Sequence, residues 1–312
     1  VEITSKLPKE RVIAGIDIGG TKIAVGLVDE AGKILARGET PTHVELGPAA
    51  ATARILEILK AQQQQTGLAP AGIGIGCTGP VDPITGELGD VCTLPGWQWN
   101  PVREISQALG VSAAMENDAD AAALGEASWG AGKGKGTLIC ITVGTGIGAG
   151  IILNGEVYRG ANGSHPELGH FILDPSGPLC TCGAYGCWEA LASGPAMEQW
   201  YAEQNSAPLS GKEICARARV GDAAAVAAVE REAKYLALGL ATVVTNFMPE
   251  AIVLGGSVMR SADLLLGGVE EVLRQNCRLV PYELCEISLA SLGPDVGLIG
   301  AAQVWHRRFP RG

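Results

Sequence analysis

The sequence predicts an α/β fold made of two related halves, and three observations carry that reading. Apolar stretches of strand length alternate with stretches of helical spacing along the chain. A unit of strand, glycine turn and strand occurs twice: Ile16-Asp17-Ile18-Gly19-Gly20-Thr21 is matched by Ile141-Thr142-Val143-Gly144-Thr145-Gly146. Glycine supplies 44 of the 312 residues, about twice its usual share, so many turns here need positive φ or a close backbone approach.

The elements follow in order. Residues 11–28 read as two strands bent at Gly19-Gly20, and residues 33–39 as a third strand after the turn at 29–32. Residues 49–60 have helical spacing, with Ile55, Leu56 and Leu59 on one face, and the polar run 62–65 should end that helix in solvent. Residues 71–77 read as a buried strand, 101–109 as a helix opened by proline and 113–116 as a brief strand. Asn117-Asp118 opens an alanine-rich helix over 119–129, and 130–136 is a loop. Residues 155–194 look long, irregular and rich in Gly, Pro and Cys, a kind of segment that is usually functional. Helices follow, the longest over about 222–247, then a buried strand at 251–254 and a final helix over about 298–306. The domain boundary is expected near Asp118, giving residues 1–118 plus about 298–312 as a smaller α/β domain and 119–297 as a larger one.

Nearly half the residues are apolar and 18% are charged, which supports a sizeable core and excludes a disordered chain. The net charge of −10 disfavours nucleic acid or an anionic membrane as partner. No apolar run reaches the roughly 18 residues of a membrane helix, and residues 1–11 lack an apolar signal region, so a cytoplasmic protein is expected. Nine cysteines in such a protein do not suggest a disulfide framework. Cys77, Cys92, Cys140, Cys215, Cys277 and Cys285 are scattered and are expected to pack as small hydrophobes.

Three strands end in glycine turns, at residues 17–22, 143–148 and 254–257. Successive N–H groups in such turns form concave anion sites, and glycine lets the backbone reach a phosphate. An ordinary hairpin is the plain alternative for any one of them. A P-loop run is absent, and Gly74-Ile75-Gly76-Cys77-Thr78-Gly79 matches a dinucleotide fingerprint in letters only, because Pro80 and Pro83 follow where a helix should start. Asp17 beside the first turn suits Mg²⁺, directly or through water, and Lys22 can offset phosphate charge.

Cys180, Cys182 and Cys187 are spaced C-x-C-x4-C, with His170 ten residues upstream. Three thiolates and one imidazole make the closed tetrahedral shell of a structural Zn²⁺ site, whereas a redox pair would more usually be CxxC. The ion would order a loop with little hydrophobic content, together with Glu167 and Glu189, whose carboxylates suit sugar hydroxyls. Asn117-Asp118 at a strand-to-helix junction is either an N-cap, worth about 1 kcal/mol, or a general base for an attacking hydroxyl, kept ionised by the helix N-terminus.

Together these residues resemble the ROK family of repressors, open reading frames and kinases, and most of all its bacterial glucokinases. The resemblance runs in order through AGIDIGGTK, GPVDPITG, LPGW, ENDADAAALGE, VGTGIGAGIIL, ELGH, CTCGAYGCWE and VLGGSV, nearly the whole chain. CxCGxxGCxE is its most specific part. Where many relatives carry Asn shortly before LPGW, this sequence has Thr93. The resemblance implies an actin-like ATPase (ribonuclease H-like) fold of two α/β domains around a cleft. It implies ATP at Asp17, Gly19, Gly20, Thr21 and Lys22, at Gly144, Thr145 and Gly146, and at Gly255 and Gly256. Gly79, Asn117, Asp118, Glu167, His170 and Glu189 would contact the sugar, with Asp118 as base for the 6-hydroxyl and Zn²⁺ on His170, Cys180, Cys182 and Cys187. The implied activity is MgATP-dependent phosphorylation of glucose by a homo-oligomer (dimer or tetramer). Mannose, fructose, N-acetylmannosamine and N-acetylglucosamine are alternative substrates, and polyphosphate an alternative donor. A repressor would need a DNA-binding domain ahead of the first strand, where about ten residues stand. A non-catalytic sugar-binding protein is the remaining alternative.

Overall fold

The computed structural model describes residues 11–310. The chain divides into two compact units. The first takes in the chain up to Lys133, the segment Arg159–His165 and the chain from Leu292 onward; the second is Gly134–Tyr158 with Pro166–Ser291.

In the first unit, β1 (Ile13–Ile18), β2 (Lys22–Val28) and β3 (Ile34–Pro41) form an antiparallel meander. Helix α1 (Gly47–Thr66) leads to β4 (Gly72–Cys77), a small hairpin of β5 (Val81–Asp82) and β6 (Glu87–Leu88), helix α2 (Pro101–Leu109), β7 (Ala113–Asn117) and helix α3 (Asp118–Trp129). The sheet order is β3-β2-β1-β4-β7, with β4 parallel to both β1 and β7. The C-terminal helix, Val296–Arg308, packs on this sheet. Its seat explains the glycines of β4: a Cβ on Gly74 would lie 1.7 Å from the Ala301 carbonyl oxygen, so only glycine lets the helix backbone rest on the strand. The fingerprint letters of residues 74–79 thus record packing.

The second unit repeats the plan. Strands β8 (Leu138–Val143), β9 (Ile147–Leu153) and β10 (Glu156–Val157) form the antiparallel part. Helices α4 (Trp188–Ala192), α5 (Gly194–Asn205), α6 (Gly211–Arg219) and α7 (Ala223–Phe247) precede β11 (Ala251–Gly255). Short helices α8 (Ala262–Leu265) and α9 (Val269–Asn276) lead to β12 (Glu286–Leu289). The order β10-β9-β8-β11-β12, with β11 parallel to β8 and β12, has the connectivity and directions of the first sheet. Among the described residues no helix is long and apolar enough to cross a membrane.

Four expectations need correction. The first unit reaches Lys133 and not residue 118, because α3 packs against the C-terminal helix: a Cβ on Gly300 would lie 2.0 Å from the Ala121 carbonyl oxygen. The polar run after residue 60 continues α1 to Thr66, and Gln62 is buried with its Nε2 donating to the Val25 carbonyl at 2.8 Å. Residues 155–194 hold β10, short 3-10 turns and α4, so the segment is more regular than its composition suggests. Of the scattered cysteines, Cys92 is exposed while the other five are buried.

Candidate active site

In the first unit the parallel strands β1, β4 and β7 end side by side, and Asp17, Cys77 and Asn117-Asp118 stand at those ends. Burial first, and then the nearby Asp118 charge, push the Asp17 carboxyl up to about 6. Asp118 opens α3 and accepts the Ala119 amide at 2.9 Å. That amide favours its ionised form, but burial outweighs it and the carboxyl is raised above its ordinary value. The helix N-terminus is expected to keep Asp118 ionised; its amide acts in that direction, but desolvation is the larger effect.

The N-cap role falls to Asn117, whose Oδ1 accepts from Ala119 N at 2.8 Å and Asp120 N at 3.4 Å. Its Nδ2 donates to the Gly79 carbonyl at 3.2 Å, joining two of the expected sugar contacts. The β1–β2 turn is closed by Gly19 N–H on the Lys22 carbonyl at 2.9 Å. Neither Gly19 nor Gly20 has positive φ; a Cβ on Gly20 would lie 2.6 Å from Thr93 Cβ, so glycine serves close approach here. Thr21 is exposed, and Lys22 is exposed and 3.6 Å from Glu39, with which Arg37 also pairs.

Two pairs at this junction escaped sequence reasoning. Arg159 donates to Glu116, Nε to Oε1 at 3.0 Å and to Oε2 at 3.1 Å, and His165 Nδ1 lies 2.9 Å from Asp120 Oδ2. The partners are 43 and 45 residues apart, so no local spacing announces them.

In the second unit the 144–146 and 255–257 turns adjoin. A Cβ on Gly144 would lie 3.4 Å from Ser257 Oγ, and one on Gly256, whose φ is +93°, would lie 2.2 Å from the Val143 carbonyl oxygen. Gly255 ends β11 beside it, and Thr145 stands at the tip of the β8–β9 turn, which Gly144 N closes on the Gly146 carbonyl at 2.9 Å. Glu189, in the first turn of α4, accepts the Ile147 amide at 2.9 Å and fills the space a side chain at Gly146 would need. Glu167 is exposed and precedes the 3-10 turn that carries His170.

His170, Cys180, Cys182 and Cys187 each place one donor atom within 4.8 Å of all the others. Cys180 Sγ is 3.5 Å from His170 Nδ1, and Cys182 Sγ is 3.5 Å from Cys187 Sγ. Tetrahedral Zn²⁺ with thiolates at about 2.3 Å needs S···S edges of about 3.8 Å, so the cluster fits the ion in donor type and size. Burial, and then the neighbouring thiols, push Cys187 up to about 12; a dication among them would reverse that. The hairpin tip is shaped by Cys180 N on the Ala184 carbonyl at 2.8 Å and by Gly183 at φ +91°. Contrary to expectation the loop also has an apolar anchor: Trp188 is fully buried, stacks on Phe171 at 5.2 Å and donates Nε1 to the Tyr235 carbonyl at 3.0 Å.

Residues 13–308 match the ROK family. The chain belongs to the ROK family. A glucokinase of Thermotoga maritima is 33% identical to this ROK chain over 97% of its length and 99% of the relative's. The ROK hexokinase structure from Thermus thermophilus superposes with a TM-score of 0.82 at 35% identity, covering 94% of this chain and 97% of that one. A Streptomyces griseus ROK glucokinase, solved in complex with glucose and AMPPNP, gives a TM-score of 0.78 at 33% identity over 94% and 98% of the two chains. The duplicated sheet is thus that of the actin-like ATPase fold to which ROK kinases belong.

Proposed function

We propose that this ROK protein transfers the γ-phosphoryl group of ATP to the 6-hydroxyl of glucose. The observation that carries the reading is Asp118, a half-buried carboxylate at the head of α3 beside Asp17, in a chain similar along nearly its whole length to glucokinases. A base for an alcohol works best with its pKa moved toward the operating pH, and burial moves Asp118 in that direction. It takes the proton of the 6-hydroxyl as that oxygen attacks phosphorus. Asn117 and Gly79, already joined to each other, position the sugar with Glu167, His170 and Glu189. Asp17 holds the Mg²⁺ that accompanies ATP. The 19–22, 144–146 and 255–256 turns offer backbone amides to the nucleotide.

In this reading His170, Cys180, Cys182 and Cys187 hold a structural Zn²⁺. Bound there, it supplies folding free energy to the loop and no step of the reaction. With Nδ1 turned toward the cluster, His170 keeps Nε2 for a sugar hydroxyl.

The test is ADP release with glucose, mannose, fructose and the two N-acetylhexosamines, for the parent and for Asp118→Asn. Glucose is expected to give the highest kcat/KM. The variant should lose about 10²–10⁴-fold in kcat while still binding glucose. Near-parental kcat would remove the base assignment, and preference for another sugar would remove glucose.

A further inference from the structure

Asp118 stands between two other acids, Glu116 at the end of β7 and Asp120 in the first turn of α3. Three carboxylates within five residues repel one another, and the two flanking ones are nearly inaccessible, with side chains 5% and 1% exposed. Both are paired with basic side chains from a single short segment. Arg159–His165 belongs to the first unit, although the chain on either side of it belongs to the second. The segment closes on itself, His165 N–H donating to the Arg159 carbonyl at 2.8 Å, so the two basic side chains leave from adjoining points. Arg159 takes Glu116 with both Nε and Nη2, and His165 takes Asp120. Gly160 and Gly163 have φ of +68° and +76°, and His165 itself has φ of +49°. A non-glycine residue is rarely held in that region unless its surroundings require it; here the side chain is fixed on a buried carboxylate.

We propose, resting on the reading of Asp118 as base, that Arg159 and His165 are positioning residues for Asp118. The strap they bracket pairs with both flanking acids and leaves Asp118 the carboxylate of the three that, among the described residues, has no side-chain hydrogen-bond partner. The ion pair at Glu116 fixes the end of β7, and the pair at Asp120 fixes the first turn of α3. Asp118 is held from both sides without being touched. Among the described residues, Asp17 on β1 and Cys77 on β4 also feel the charge of Asp118, and neither is a cation. Lys22 and Asp295 act on Asp17. When protonated, His165 acts on Asp118 as a positive charge and favours the ionised base.

The experiment compares pH profiles of kcat and kcat/KM for the parent, His165→Gln, Asp120→Asn, the double variant, Arg159→Lys and Arg159→Met, with melting curves for each. His165→Gln should move the acid limb upward by about half to one pH unit, with KM for MgATP unchanged. In the double variant, which removes both members of the pair, the limb should return toward the parental position. Arg159→Met should lower kcat about tenfold or more, and Arg159→Lys, which keeps the charge without the fork, should recover part of it. A parental acid limb in His165→Gln, even with a lowered melting temperature, would make the strap purely structural and overturn the proposal. So would parental kcat in folded Arg159→Met. Asp118→Asn separates the readings: if it is inactive while His165→Gln and Arg159→Met behave as the parent, the strap fails alone, whereas an active Asp118→Asn removes the base and the strap's task with it.

Discussion

At the scale of single residues, Asp17 shows how a carboxylate proposed to hold Mg²⁺ trades against stability. Its ordinary pKa is 3.8 and burial beside Asp118 raises it to about 6. The folded state therefore binds the proton more tightly than the unfolded one. The favourable contribution is complete below about pH 4 and is lost as the pH rises through about 6. A rise of that size corresponds to at most about 3 kcal/mol. Without ligands, Asp17→Asn should melt several degrees above the parent at pH 8 and close to it at pH 4, while losing activity. A variant melting below the parent at pH 8 would contradict the burial argument. Asp17 and Asp118 were both legible from the sequence, as a carboxylate beside a glycine turn and a carboxylate at a helix start. Their mutual influence was not, because it needs β1, β4 and β7 laid side by side.

At the scale of elements, the metal loop has two anchors of different kinds. The tip carries the four donors proposed to hold zinc, and the base rests on Trp188, which is wedged against α7 so closely that a Cβ on Gly239 would lie 1.9 Å from its ring. The donors lie within eighteen residues of sequence, so their spacing alone disclosed them. Trp188 could not be read that way, since its partners Tyr235 and Gly239 are some fifty residues on and nothing in residues 165–189 points to them. Two-residue strands such as β5, β6 and β10 escaped notice for another reason: they are too short to show a period. The two anchors should separate under chelation of the metal-loaded protein. Amide exchange is expected to rise over residues 179–186 and stay slow in α4, and glucose affinity should fall. Uniform loosening through α4 would show that Trp188 does not hold the base independently. Unchanged exchange at the tip would count against the metal as its organiser.

At the scale of the whole molecule, the duplicated sheet was visible as one repeated turn motif, because the same unit of strand, turn and strand begins both sheets. The pairing of distant acids with basic partners was invisible, and so was a buried acid that makes no hydrogen bond among the described residues. Glu232 on α7 is 1% exposed and neither carboxylate oxygen has a hydrogen-bond partner. Burial therefore raises its pKa well above the ordinary 4.5 and favours the protonated form in the folded second unit. The sign is the same as for Asp17 in the first unit: stability is fully present below the ordinary value and declines as the pH rises through the raised one. These two groups should thus each contribute a loss of stability from acid toward alkaline pH in the absence of ligands. Glu232→Leu removes the buried polar group altogether, and should gain about 1–3 kcal/mol at pH 8.5 and less at pH 5.5, read from urea unfolding. Glu232→Gln keeps the shape and a polar head but cannot ionise, so it should flatten the pH dependence. A Glu232→Leu protein less stable than the parent at pH 8.5 would mean that the carboxylate has a partner in solution and that the decline with pH arises elsewhere.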